Sequence, residues 1–246
     1  SMGIDRLLFS GEADITVHSA KDVPVDSKSG IRALAYLARG ATSDFVLSKD
    51  MNGWKKLSKV LQNKSSKPLM DVLEDLPMKS KVGTVSGRRQ SFLLSSRPDI
   101  IPISVRGHIE TRLDGLLDGR VSFLILAEIG LKRLYESNEI SKRHLGLNAT
   151  RIREEDWPTA PGQGAIAVHC RDEDSSLTEK IRTILNHEPT FDEVERERGV
   201  LKRLGGGCLY PAGVLSMGSK ITTAVSPSDW RSKYARGETF KIARYN

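Results

Sequence analysis

Two short stretches hold the side chains best placed to do chemistry. Residues 17–24 read V-H-S-A-K-D-V-P and set one carboxylate, Asp22, beside Lys21 and just ahead of Pro24, where a strand is expected to end. A carboxylate there can move protons or stabilise positive charge that develops during a reaction. An aspartate there can also simply shape a turn, and the residues alone leave both readings open. His18 is similarly ambiguous. Residues 205–210 read G-G-G-C-L-Y, and three glycines ahead of Cys208 predict a loop that a bulky group can approach, with an accessible thiol. Cys170, in A-I-A-V-H-C, reads as packed core. No C-x-x-C pair or His/Cys cluster has metal spacing, so no metal is expected.

Basic residues recur after expected strands. In K-V-G-T-V-S-G-R-R-Q (81–90), Ser86 and Gly87 fall where a helix begins, and its free N–H groups and dipole favour an anion. Arg88 and Arg89 add planar donors that suit carboxylates, although a capped surface helix with two solvated arginines is the plainer reading. In S-V-R-G-H-I-E-T-R-L (104–113), Arg106 ends a strand, Gly107 turns, and Arg112 lies one turn into the next helix. Lys132 and Arg133 follow the strand V-S-F-L-I-L. Ligands of α/β sheets bind at the carboxyl ends of strands, so three basic junctions there describe a pocket for a ligand with several carboxylates. T-A-P-G-Q-G-A (159–165) reads as a hinge or a crossover between domains.

The elements that must position these residues alternate strand and helix, which predicts βαβ units and a mostly parallel sheet. Strands are expected at 13–17, 31–37, 44–47, 82–84, 103–105, 121–126 and 165–168. Helices are expected at 88–95, 109–117, 129–135, 177–185 and 193–204. Residues 51–78 are polar and read as a helical surface insertion with a loose link at 63–67. Residues 212–245 read as a small antiparallel sheet.

The chain has 246 residues, enough for two modest domains or one large one. Two cysteines argue for a reducing compartment, and no apolar run is long enough to span a bilayer. The net charge of +7 points to an anionic partner. Nucleic acid is disfavoured, because the arginines come one or two at a time rather than on a long basic face interleaved with aromatics.

Taken in order, V-H-S-A-K-D-V-P, V-G-T-V-S-G-R-R-Q, V-R-G-H-I-E-T-R-L, A-E-I-G-L-K-R-L, A-P-G-Q-G-A and G-G-G-C-L-Y-P-A-G resemble the signatures of the porphobilinogen deaminase (hydroxymethylbilane synthase) family. The resemblance implies an α/β fold with two type II periplasmic-binding-protein-like lobes, the first incomplete here, plus a small α+β C-terminal domain. The expected division is residues 1–38 with 165–182, residues 39–164, and residues 183–246. It also implies stepwise condensation of four porphobilinogen molecules to hydroxymethylbilane, with loss of ammonia, on a dipyrromethane cofactor joined to Cys208. By the same resemblance Asp22 is the catalytic carboxylate. Ser19, Lys21, Thr84, Ser86, Arg88, Arg89, Arg106, Gly107, Arg112, Arg133, Gln163 and Gly164 would bind substrate or cofactor, the last two near a hinge. A cytoplasmic monomer with no nucleic-acid or membrane partner is implied.

The chain departs from the family pattern at Val85, Gly87, His108, Ser122 and Gly205, none of which removes a proposed catalytic group. The pattern also includes a strand and helix ahead of Gly3 and a closing helix beyond Asn246, which leads to an expectation of a truncated first lobe and impaired turnover. The alternative from a different class is a two-lobed module that binds an anionic ligand without reacting it.

Overall fold

The computed structural model describes residues 2–25, 30–172, 175–207 and 210–245. The chain opens with helix α1 (Met2–Phe9) and strand β1 (Ile15–Ser19), which tightens into a 3-10 turn (Ala20–Asp22) before β2 (Ile31–Tyr36). Residues 37–43 cross to a second sheet at β3 (Asp44–Ser48), followed by β4 (Lys55–Lys56), α2 (Leu57–Val60) and α3 (Leu69–Asp75). Next come β5 (Lys81–Gly83), α4 (Gly87–Ser96), β6 (Ile101–Ile103), α5 (Ile109–Leu117) and β7 (Phe123–Ala127). After α6 (Glu128–Glu136), α7 (Lys142–Leu145) and β8 (Asn148–Arg151), residues 152–165 cross back to β9 (Ile166–Arg171). Helices α8 (Ser176–Leu185) and α9 (Glu188–Arg203) lead to β10 (Ala212–Met217), β11 (Lys220–Val225), α10 (Trp230–Ala235) and β12 (Ala243–Tyr245).

Among the described residues three sheets result, in the orders β1-β9-β2, β4-β8-β3-β7-β5-β6 and β10-β11-β12. The expectation of a mostly parallel sheet is corrected. Only the β5–β6 and β5–β7 pairs are parallel, and all other pairings in the three sheets are antiparallel. For β2–β9 and β3–β8 the cause is the pair of crossing segments. They run side by side, with the Gly40 N–H donating to the Gly164 carbonyl at 3.0 Å, so the strand leaving each sheet lies beside the one entering it and runs the opposite way. β2 and β9 are paired this way in the first sheet, and β3 and β8 in the second.

Strands β3 and β7 are buried on both faces and read as continuous apolar runs. Val46, Phe123 and Ile125 pack one way, with Trp54, Phe92 and Trp157, while Phe45, Leu47, Leu124 and Leu126 pack the other way, against α2 and α5. Residues 51–78 are part of this core and not a surface insertion, which corrects the reading from sequence. Leu57, Val60 and Leu61, then Leu69, Val72, Leu73 and Leu76, are all buried. β4 pairs with β8, and the supposed loose link is tied by the Lys67 N–H to the Arg151 carbonyl at 2.8 Å. The many lysines between these positions raise the average polarity, but the apolar residues keep a helical spacing and face inward. β8 (N-A-T-R) escaped the sequence reading because it is a polar strand, and its Arg151 is buried in a bidentate pair with Glu128 at 2.6 and 2.7 Å.

Glu197 of α9 ties the crossing segments to the C-terminal sheet. Its carboxylate accepts from Arg39 at 2.7 and 3.0 Å, from Gly162 N–H at 2.7 Å and from Ser216 N–H at 2.8 Å. Gly164 has φ +88°, and a Cβ there would lie 2.7 Å from the Ala41 carbonyl oxygen and 2.8 Å from that of Gly40. Gly164→Ala is therefore expected to cost about 1–2 kcal/mol for the left-handed backbone, and more for moving the facing segment. A urea-melt difference below about 0.5 kcal/mol would refute the tight crossing. Among the described residues no helix is long and apolar enough to cross a membrane.

Candidate active site

The 3-10 turn after β1 exposes Asp22 and half-buries Lys21. Two contacts hold it. Ala20 N–H donates to the Ala165 carbonyl at 3.1 Å, and Arg198 of α9 donates to the carbonyls of Val23 and Pro24 at 3.2 and 2.6 Å. Across from the turn, α4 begins at Ser86, whose hydroxyl caps the helix by accepting from Arg89 N–H. Thr84 is buried and shapes the same junction, its hydroxyl accepting from Ser86 N–H at 3.2 Å.

Arg88 and Arg89 converge beneath this junction on a fully buried carboxylate, Asp44, which begins β3. Asp44 accepts from Arg88 Nη2 at 2.6 Å, from Arg89 Nε and Nη2 at 2.9 and 2.6 Å, and from Trp157 Nε1 and Gln163 Nε2, both at 2.9 Å. Burial on its own would raise the Asp44 pKa, but the two guanidiniums outweigh it and hold the carboxyl well below the usual carboxylate range. Two guanidiniums share one carboxylate, so the cluster keeps a net positive charge.

That charge faces a cleft of about 420 Å³ between the turn, α4 and the C-terminal region. Its walls carry Lys21, Arg88, Arg89, Arg112, Arg198 and Arg231, with Asp22 as the acid among them. A recess of about 230 Å³ is lined by Ser19, Lys21, Arg89, Arg112, Arg133 and Gly164. The Lys21 pKa is lowered by burial and then by Arg89, and Arg112 is lowered by the same two causes in the same order. An anion in the cleft would relieve both.

The structure thus brings Ser19, Lys21, Asp22, Ser86, Arg88, Arg89, Arg112, Arg133, Gln163 and Gly164 to one region. Arg106 and Gly107 are exposed and line neither cavity, though the Gly107 carbonyl accepts from Arg112 Nε at 2.8 Å and so orients that arginine. Lys132 lies 3.8 Å from Glu136 and lines neither cavity. Cys208 lies outside the described residues, but Gly207 and Tyr210, which flank it in sequence, both line the cleft. Sequence reasoning missed Asp44, Arg198 and Arg231. Asp44 carried a signal, an acid opening an apolar strand, since a buried charge needs a partner; the two arginines carried none.

The family model described as "Porphobilinogen deaminase, dipyromethane cofactor binding domain" matches residues 2–179. The chain belongs to the porphobilinogen deaminase family. The porphobilinogen deaminase of Thermus thermophilus is 35% identical over 213 residues, covering 87% of this chain and 62% of the relative. That of Nitratidesulfovibrio vulgaris is 36% identical over 208 residues, covering 85% and 57%. The chain therefore spans roughly three-fifths of the length of these porphobilinogen deaminases. Among solved structures, a periplasmic sulfonate-binding protein from Methylobacillus flagellatus aligns over 96% of this chain and 57% of its own, at 13% identity and a TM-score of 0.38. The fold is mixed α/β, and the matched domain is the one that binds the dipyromethane cofactor in porphobilinogen deaminases.

Proposed function

We propose that this chain catalyses the porphobilinogen deaminase reaction, the condensation of four porphobilinogen molecules to hydroxymethylbilane with release of ammonia, in tetrapyrrole synthesis. The observation that carries this reading is one exposed carboxylate, Asp22, the only acid among the described residues lining a cleft that also carries Lys21, Arg88, Arg89, Arg112, Arg198 and Arg231. A dipyrromethane fits these residues. Its carboxylates match the surplus of arginines, and Gly207 and Tyr210 bring the chain on both sides of Cys208 to the cleft. When bound through the Cys208 thioether, the cofactor supplies the nucleophilic pyrrole carbon from which the product grows.

The protein's own groups have separable tasks. Lys21, Arg89 and Arg112, shared by the cleft and the recess, hold acetate and propionate side chains, with Ser19, Ser86 and Arg133 extending the row. Arg88 and Gln163 keep Asp44 in place, and Asp44 fixes the Arg89 guanidinium in the floor of the cleft. Thr84 sets the α4 junction, the Gly107 carbonyl orients Arg112 from the rim, and Gly164 lets the crossing segments pass. Asp22 stabilises the cation left on porphobilinogen as ammonia departs, and accepts the ring proton after each coupling. The units would be residues 1–38 with 165–182, residues 39–164, and residues 183–246, working as a cytoplasmic monomer.

The test is to incubate the purified chain with porphobilinogen, following ammonia and linear tetrapyrrole, and to weigh the intact protein. The expected result is turnover and a mass above the sequence value by one dipyrromethane, the increment being absent in Cys208→Ala. A bare sequence mass with no substrate consumed overturns the proposal.

A further inference from the structure

One buried polar cluster lies outside the cleft. β1 turns its polar side chains, Thr16 and His18, inward and leaves Val17 exposed, the reverse of ordinary strand patterning. On the neighbouring strand β9, His169 stands directly opposite Thr16 in register, so it shares that inward face. Helix α1 contributes Asp5 to it. His18 Nε2 lies 2.8 Å from Asp5 Oδ1 and 3.0 Å from Thr16 Oγ1, and the Thr16 hydroxyl donates to Asp5 Oδ1 at 3.3 Å. The His18 and His169 rings are 5.1 Å apart. All three of Asp5, His18 and His169 are more than nine-tenths buried, and one potential ligand atom from each lies within 4.8 Å of the others.

We propose that Asp5, His18 and His169 form a binding site for one divalent cation of the zinc class. Two imidazoles and a carboxylate are a donor set that such ions take, with a fourth position left for the Thr16 hydroxyl or a water. The Nδ1 of His169 is buried with no partner among the described residues, an unfavourable state that a bound cation would relieve. Bonds of about 2.0–2.2 Å place ligand atoms a little over 3 Å from one another, so the His18–Asp5 pair must open slightly from 2.8 Å while His169 draws in, which side-chain rotation on three separate elements can provide. Spacing along the sequence could not show this site, because its ligands come from α1, β1 and β9. An ion there would clamp α1 to the strand that runs into Lys21 and Asp22.

The test uses cobalt(II) as a coloured stand-in, with zinc, on the full chain. The wild type is expected to take up one equivalent of cobalt with an intense visible band of a four-coordinate nitrogen–oxygen site, and zinc should displace it and raise the melting temperature. His169→Gln should lose the band and the zinc-dependent stabilisation while keeping its circular dichroism. Binding should weaken by more than about 100-fold, beyond the 10–100-fold typical of outer-shell changes. If His169→Gln does not fold, Asp5→Asn must show the same loss. Equal uptake by wild type and variants, or a near-ultraviolet thiolate band placing the ion on Cys208, would overturn the site.

Discussion

Asp44→Asn is expected to lower the stability of the protein by about 3–5 kcal/mol. The variant keeps the size and most of the shape of the side chain but removes the charge that faces Arg88 and Arg89, both buried in the floor of the cleft. Two guanidiniums would then sit in a low-dielectric interior with no counter-charge, and the cost of their desolvation, now matched in the wild type, would appear in the folding equilibrium. The prediction has a pH signature with a definite sign. In the folded protein the Asp44 carboxyl is held well below its usual range, so the native state binds fewer protons there than the unfolded chain does. Its contribution is present above the unfolded pKa of about 3.9 and is lost as pH falls below it. Urea melts of wild type and variant at pH 7 and pH 2 should therefore differ most at the higher pH. A difference below about 1 kcal/mol at pH 7 would show that the arginines are not held by this carboxylate.

Asp22→Asn should do the opposite, leaving the fold alone and removing the chemistry. Asp22 is exposed on its turn, so stability should change by no more than about 0.5 kcal/mol. Turnover of porphobilinogen should fall by about 10²–10⁴-fold, the range for losing a group that both stabilises charge and moves a proton. Asparagine matches the carboxylate in size and can accept a hydrogen bond, so a deficit isolates the negative charge. Substrate binding should change less than turnover, because the proposed mechanism assigns the carboxylates of the ligand to Lys21, Arg89 and Arg112, which line both cavities, rather than to Asp22. A variant within threefold of wild-type turnover would remove Asp22 from the mechanism and point the search to the other lining groups.

The two variants mark a division within the site. The groups proposed to react, Asp22 and its neighbour Lys21, lie on a short turn legible from S-A-K-D-V-P, since a strand, a turn former and a proline specify local geometry within a few residues. The helix start at Ser86 was legible for the same reason, as a cap is a local device. Arg88 and Arg89 were found as residues but not in their full situation. Nothing adjacent to them in sequence reveals that Asp44, Trp157 and Gln163 close around them from three other segments.

What the sequence determined alone was therefore whatever depends on nearest neighbours. That includes most helices and strands, the buried runs of β3 and β7, the glycine crossing, and the ordered motifs that place the chain in its family. The tertiary structure decided the sense of the strands, because two crossing segments lying side by side force antiparallel neighbours that an alternating strand–helix pattern does not encode. It also turned the lysine-rich segment at 51–78 into core, since burial follows which face meets the sheet rather than average polarity. The pairing of charges was settled there too. A carboxylate and two guanidiniums far apart in sequence become one cluster only when the chain closes, and the free energy of a buried charge depends on what surrounds it in space.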